Sequence, residues 1–337
     1  MKSPVTSVAY MVRDLGLLAA TFAVASVAYD RALALEVQPA LRLCAAGGVL
    51  ALNALVAGFL MWCAFVVGHD AGHGTFSNSA VLNAVAGHLC HAPLMVPYWP
   101  WAFSHNLHHR FHNHKSKDHS FPWFTENEWA AMGTFKRGVL SNYLAPFYMY
   151  PVYLLIEGFD GCHFWPWSHM YKQGSLVDRV KCAASTVAVF AAGIAIKAAL
   201  GGWTRFGAIY APAYFVFCFW LFTVTYLQHH EEGTKVYTDA DWAFVKGGLE
   251  TVDRTYGLGI DAFHHHISSC HVAHHLFFRA IPHYHLPKAS AAVRGVLEPL
   301  GLYKNVDTPD FALRVCRYNN VMGGRMEKLA EGMPKAA

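Results

Sequence analysis

Long apolar runs alternate along the chain with polar segments in which histidine is unusually dense. Residues 43–67 run for 25 positions without a charge, and residues 206–228 for 23. A helix needs roughly 20 mostly apolar residues to cross a bilayer, so both predict membrane-spanning helices. Residues 15–35 predict a third, ending on Asp30 and Arg31. Residues 181–203 predict a fourth, with Lys181 and Lys197 able to carry their ammonium groups to the interface. Two further apolar runs differ. Residues 79–103 contain His88, His91 and prolines 93, 97 and 100, and residues 140–156 carry Pro146, Pro151 and several tyrosines. Both read as helices lying along the interface or dipping into it.

The expected fold is an all-α integral membrane protein: one domain over residues 1–337, with spans at about 15–35, 43–67, 181–203 and 206–228. With the N-terminus on the cytosolic side, residues 68–180 and 229–337 fall together on that side as a helical cap. Of 26 Lys and Arg, only Arg31, Arg42, Lys197 and Arg205 then face the opposite side, in keeping with the positive-inside bias. Composition agrees: 54% of residues are hydrophobic and 14% charged, against ~25% charged in ordinary soluble domains. The net charge of +4 is spread along the chain, with no basic block that would suggest nucleic acid. Eight scattered cysteines form no CxxC and no disulfide framework. The opening MKSPVTSVAYMVRDLG lacks the features of a removable signal peptide.

Histidine changes the picture from a membrane protein to a candidate metalloprotein. Of 22 histidines, ten lie between positions 69 and 119 and ten between 229 and 285. His69 and His73 stand four apart in HDAGH, directly after the span predicted at 43–67. His105, His108 and His109 stand at i, i+3 and i+4 in HNLHH, and His271, His274 and His275 repeat that spacing in HVAHH. Residues three and four apart share a helix face, so each cluster can aim its imidazoles at one point. Imidazole ligates iron, zinc, copper or nickel, and eight such nitrogens suffice for two ions. Asp70 is placed to orient an imidazole. His112, His114 and His119, in the charged stretch RFHNHKSKDHS, read as solvated or supporting groups, and His283 and His285 as parts of a rim.

HDAGH, HNLHH and HVAHH, in this order and membrane context, resemble the three histidine boxes of membrane fatty acyl desaturases. HDAGHGTFS, GHLCHAPLMVPYWPW, TYLQHHEE, GGLETVDRTYG and HVAHHLFFRAIPHYHL resemble the methyl-end subgroup, which forms delta-12 or omega-3 double bonds. The resemblance runs from about residue 50 to residue 300, and Gly74 in place of a second histidine looks more like the omega-3 branch. It implies a cytosolic centre of two Fe ions held by about nine histidines, His69, His73, His105, His108, His109, His271, His274, His275 and, just after the last span, His229. His230 is the alternative ninth ligand, and His265 is either a ligand or a group that holds one. Histidine at 266, where the subgroup commonly has asparagine, departs from the pattern.

The resemblance also implies an oxidoreductase that uses O2 as co-substrate and inserts a cis double bond into a lipid-linked acyl chain, omega-3 favoured over delta-12 and phospholipid the expected carrier. Zinc, being redox-inert, would not support such chemistry. The aromatic stretches at 97–101 and 210–220 are candidates for lining an acyl tunnel or for an interfacial belt. The chain carries no fused haem, dinucleotide or ferredoxin signature, so electrons are expected from a separate cytochrome b5 with its reductase, or from ferredoxin. The short N-terminus favours cytochrome b5 and an endoplasmic-reticulum setting with the site facing the cytosol. Two rivals stand beside this reading. An acyl hydroxylase or acetylenase could use the same scaffold, and a His-rich metal transporter would place ionisable ligands near mid-membrane, where this chain has almost none.

Overall fold

In a computed structural model, residues 2–118, 126–156, 162–171, 174–231 and 233–317 are described, and His119 lies outside them. The chain is built mainly of helices. Four are long and apolar enough to cross a membrane: Pro4–Leu33, Pro39–His73, Leu176–Leu200 and Trp203–His229. The pair Ala80–Leu94 and Tyr98–Arg110 passes the same test only when taken together across its break. The described residues fall into two compact units, one drawn from positions 2–101 and 163–221, the other from positions 102–162 and 222–317.

Helix ends in the first unit follow from local chemistry. Ser3 caps the first helix by accepting the Thr6 N–H, and Pro4 occupies its first turn, where a missing N–H is harmless. This helix starts eleven residues before the expected position 15. Arg13 and Asp14 do not interrupt it, because Arg13 reaches the buried Asp14 carboxylate at 2.7 Å and the two charges neutralise one another. Pro39 opens the second helix, which ends at Gly74 with φ 72°, a left-handed conformation natural to glycine. Ser175 and Asp178 form a capping box at the start of Leu176–Leu200, and Gly201 at φ 87° ends it.

Pro39–His73 is the central helix of this unit: 61% of its most apolar window is buried, against 17% for Pro4–Leu33 and for Leu176–Leu200. The two outer helices therefore show Val24, Val27, Val187, Phe190 and Ile194 to the surroundings, as lipid-facing helices do. Several polar side chains of the first unit are matched internally, as an apolar medium requires. Asn53 donates to the Ile209 carbonyl at 2.7 Å, inside the π-helical turn Phe206–Tyr210. Tyr210 donates to Pro93 O at 2.7 Å, and Ser7 to Phe76 O at 2.8 Å.

The run expected at 79–103 is a broken helix. Ala80–His91 and a 3-10 turn Ala92–Leu94 precede Met95, whose φ is 58°, and Tyr98–Arg110 follows. Its two histidines are structural. His88 Nδ1 donates to Ala84 O at 2.7 Å while Nε2 meets Ser185 Oγ at 3.0 Å, and His91 stacks on Phe65 at 4.6 Å. Tyr98, Trp101, Tyr210 and Phe217 are buried, with Trp101 and Phe217 packed against Phe65. These aromatics fill the interior of the first unit.

Beside the ends of Tyr98–Arg110 and Trp203–His229, the described residues of the second unit form short helices: Glu126–Ala131, Thr134–Leu140, Ala145–Leu155, Phe244–Gly248, Ile260–Phe263, His271–Phe277 and Leu286–Leu297. Asp253–Thr255 pairs in parallel with Asn305–Asp307. The run expected at 140–156 becomes Ala145–Leu155, with Pro146 in its first turn, where proline is tolerated.

Close helix packing in the first unit predicts opposite effects at two glycines. A Cβ on Gly58 would meet Val216 Cβ at 2.6 Å and the Ala213 carbonyl oxygen at 2.7 Å, whereas Gly48 has open space around it. Gly58→Ala is expected to destabilise by about 1–3 kcal/mol through overpacking. Gly48→Ala should be neutral or stabilising by up to ~1 kcal/mol from helix propensity. Thermal melting of the detergent-solubilised variants checks both, and equal melting temperatures would refute the packing assignment.

Candidate metal centre

In the second unit, His108, His112, His229 and His275 converge. One ring nitrogen from each lies within 4.8 Å of those of the other three, and all four side chains are buried. Each comes from a different position in the fold. His108 lies on the last turn of Tyr98–Arg110, His112 just beyond it, His229 ends Trp203–His229, and His275 sits in His271–Phe277. His112 Nε2 faces His229 Nδ1 at 2.7 Å, and Thr251 Oγ1 lies 3.2 Å from the same nitrogen. His271 Nε2 approaches His229 Nε2 at 3.3 Å from the edge of the group.

A neutral imidazole has one N–H and one lone pair, and the partner of the N–H decides which nitrogen can bind a cation. His108 Nδ1 is 2.9 Å from Asp118 Oδ1. His112 Nδ1 is 2.7 Å from the Gly247 carbonyl, and His271 Nδ1 is 2.8 Å from the Ile267 carbonyl. A carbonyl or carboxylate oxygen only accepts, so Nδ1 donates in all three, leaving the Nε2 lone pairs available. Asp118 is itself held, accepting the Asn113 N–H at 3.0 Å. Gly247 reaches His112 because it lacks a side chain: a Cβ there would meet the His112 carbonyl oxygen at 2.2 Å.

Burial disfavours the charged form of two of the rings. It pushes His112 down to about 3, with His108 as the next cause. It also pushes His275 well below the ordinary histidine value, helped by His112 and His271. The donor set of clustered, neutral nitrogens suits a transition-metal cation. His275 Nδ1 is a buried polar atom without a hydrogen-bond partner, a costly arrangement unless the nitrogen has a ligand.

A second convergence in the same unit joins His105, His109 and His274. Nε2 of His109 lies 3.0 Å from that of His105 and 3.1 Å from that of His274. In the first unit, His69 and His73 bring their Nε2 atoms to 3.2 Å at the end of Pro39–His73. Asp70 Oδ1 is 3.6 Å from His69 Nδ1.

The remaining sequence candidates sit elsewhere. His230 turns back onto its own helix, Nδ1 donating to Tyr226 O at 3.2 Å with the ring stacked on Tyr226. His265 packs on His283 at 4.4 Å with φ 65°, and His264 meets Ser268 Oγ at 2.7 Å. His285 is exposed. His114 is buried against Asp239 at 3.1 Å. His112 is 1% exposed, which overturns the solvated reading of that stretch, and it stands within the four-imidazole group. Its spacing carried a signal: it stands four residues after His108 and seven after His105, on the face those two share. Asp118 had no such signal.

The comparisons with known proteins agree with this geometry. A fatty acid desaturase family model matches residues 46–307. The chain is similar to the omega-3 fatty acid desaturase fat-1 of Caenorhabditis elegans, 39% identical over 81% of this chain and 71% of that one. It is similar also to the delta(12) fatty acid desaturase fat-2 of the same organism, 38% identical over 89% and 76%. A third relative, the acyl-lipid omega-3 desaturase (cytochrome b5) of the endoplasmic reticulum of Arabidopsis thaliana, is 35% identical over 88% and 73%. Four apolar helices, converging buried imidazoles and a family match across most of the chain agree: this membrane protein belongs to the fatty acid desaturase family, in its methyl-end subgroup, and is an oxidoreductase.

Proposed function

We propose that the chain is an O2-dependent di-iron desaturase that inserts a cis double bond toward the methyl end of a phospholipid-linked unsaturated acyl chain, with omega-3 placement favoured. The observation that carries this reading is the buried group His108, His112, His229 and His275 in a chain of this family. Iron held by these residues would supply the redox chemistry that acid–base side chains lack: O2, two donor electrons, two protons and the two hydrogens lost from adjacent methylenes end as two waters. That group, with His271 at its edge, would hold one ion. His105, His109 and His274 would serve the second, and the histidine boxes of the sequence add His69 and His73 to the ligand set.

The chain's own residues supply geometry. Asp118, Gly247 and Ile267 hold the protons of His108, His112 and His271 on Nδ1, which fixes the rings for ligation through Nε2. His229 is the ninth box-associated ligand, His230 and His265 pack beside the centre's elements, and His112 is an additional ligand. The preference for omega-3 placement draws on the names of two relatives and on Gly74. The name of the Arabidopsis relative supports cytochrome b5 as the electron donor and the endoplasmic reticulum as the location. The centre is read as facing the cytosol, and residues 1–337 as one domain, on the hydropathy pattern and the distribution of Lys and Arg in the sequence.

Expression in a host whose lipids contain 18:1 and 18:2 chains tests the activity. A new double bond at the omega-3 position, located by gas chromatography of derivatised lipids, is the expected result. Delta-12 products would move the assignment to the other branch, and unchanged lipids would refute desaturation.

The ligand set has its own tests. His274→Ala and His275→Ala are each expected to abolish product while the protein stays in membranes. His112→Ala should lower the iron content from about two per chain, measured by elemental analysis, whereas His285→Ala should leave it unchanged. Asp118→Ala is expected to weaken metal binding about 10–100-fold, the usual effect of losing the group that orients a ligating histidine. Unaltered iron in His112→Ala would remove that residue from the set.

A further inference from the structure

Two elements bring their ends to the four-imidazole group. His229 is the last residue of Trp203–His229, and His271 opens His271–Phe277. The last carbonyls of a helix and its first N–H groups lack partners within the helix and carry partial charges of opposite sign. Consecutive residues 253 and 254, from the stretch ETVDRTYG, meet one of each. Arg254 is fully buried, and its Nε donates to the Leu227 carbonyl at 2.8 Å, two residues before His229. Its other nitrogens donate to Thr308 Oγ1 at 3.0 Å and to the Glu231 carboxylate. Asp253 Oδ1 accepts the Val272 N–H at 2.7 Å, next to His271. Its Oδ2 accepts from Ser290 Oγ at 3.1 Å and from the Tyr303 hydroxyl.

The backbone of the same segment makes matching ties. Val252 N–H donates to Gln228 O at 3.0 Å, Arg254 N–H to Ser268 O at 2.9 Å, and Asp253 N–H to Lys304 O at 3.0 Å. Pairing with Asn305–Asp307 fixes the strand. Burial pushes the Asp253 carboxyl up to about 6 while its donors pull the other way.

We infer that Asp253 and Arg254 are positioning residues: a carboxyl acceptor on the first turn of the His271–His275 segment and a guanidinium donor on the last turn before His229 together set the spacing of these histidines and hence the metal affinity. This rests on the reading of those histidines as metal ligands. Neither residue has a nitrogen or oxygen among the convergent ligand atoms, so each acts through the backbone of a ligand-bearing helix.

The test uses the full chain, purified in detergent, stripped of metal and titrated with Co(II), whose visible absorption reports both uptake and ligand geometry. Wild-type protein is expected to bind two Co(II) per chain. Asp253→Ala and Arg254→Ala should each weaken one of the two sites by about tenfold or more and alter its spectrum. Asp253→Asn, which keeps an acceptor for the Val272 N–H, should bind closer to wild type. A purely structural role would lower the melting temperature of the metal-free protein and leave cobalt affinity and spectrum unchanged, and that result overturns the inference. If the alanine variants do not reach the membrane, the double variant Tyr303→Phe with Ser290→Ala decides the matter. It leaves the Asp253 carboxylate in place without its two hydroxyl donors, and unchanged cobalt binding in it overturns the inference likewise. A wild-type protein that takes up no Co(II) sinks the metal-centre reading and this inference together, whereas normal wild-type uptake with unaltered variants sinks this inference alone.

Discussion

An imidazole can serve a metal only when it is neutral and when its free lone pair faces the ion, and the architecture of the second unit follows from that requirement. Burial pushes His112 and His275 towards the neutral form, because a charged ring loses its hydration there. Direction comes from the opposite nitrogen, whose proton must have an acceptor. His108 has the Asp118 carboxylate, His112 the Gly247 carbonyl and His271 the Ile267 carbonyl. Each acceptor belongs to a short element or turn that could not occupy its place inside a long helix. The fragmented secondary structure of this unit is thus what lets several rings be aimed from several directions.

The first unit solves a different problem. A span must satisfy its polar groups without water, and here most polar intrusions are matched within the unit. Asn53 takes a carbonyl inside the π turn of a neighbouring helix. His88 is bonded through both nitrogens, and Asp14 is paired with Arg13. His88 and His91 show that histidine in this chain has two uses. Those near the aromatic interior serve packing and internal hydrogen bonding, while those at the helix end, His69 and His73, face one another through Nε2.

Asp253 and Arg254 extend the same logic one layer outward. A ligand helix that can slide by an ångström misplaces its imidazoles, and helix ends, where hydrogen bonding is incomplete, slide most easily. A buried carboxylate on one end and a buried guanidinium on the other convert loose termini into fixed points. The two residues are adjacent in the chain, so one strand sets both.

The positions of the spans and of the three histidine clusters could be read from the sequence, because each leaves a periodic or compositional trace. Crossing a bilayer takes some twenty apolar residues in a row, and rings that share a helix face must recur at three and four. The start of the first span escaped that logic, since Arg13–Asp14 looks like an interruption until the two charges are seen to pair. The acceptors that orient the rings escaped it as well. His112 meets Gly247 and His229 across 135 and 117 residues, and Asp118 reaches His108 only because the loop folds back. Contacts of that kind obey no period. They depend on where a carbonyl or carboxylate lies once distant segments have packed, so the tertiary structure alone decided which histidines converge and how each is held.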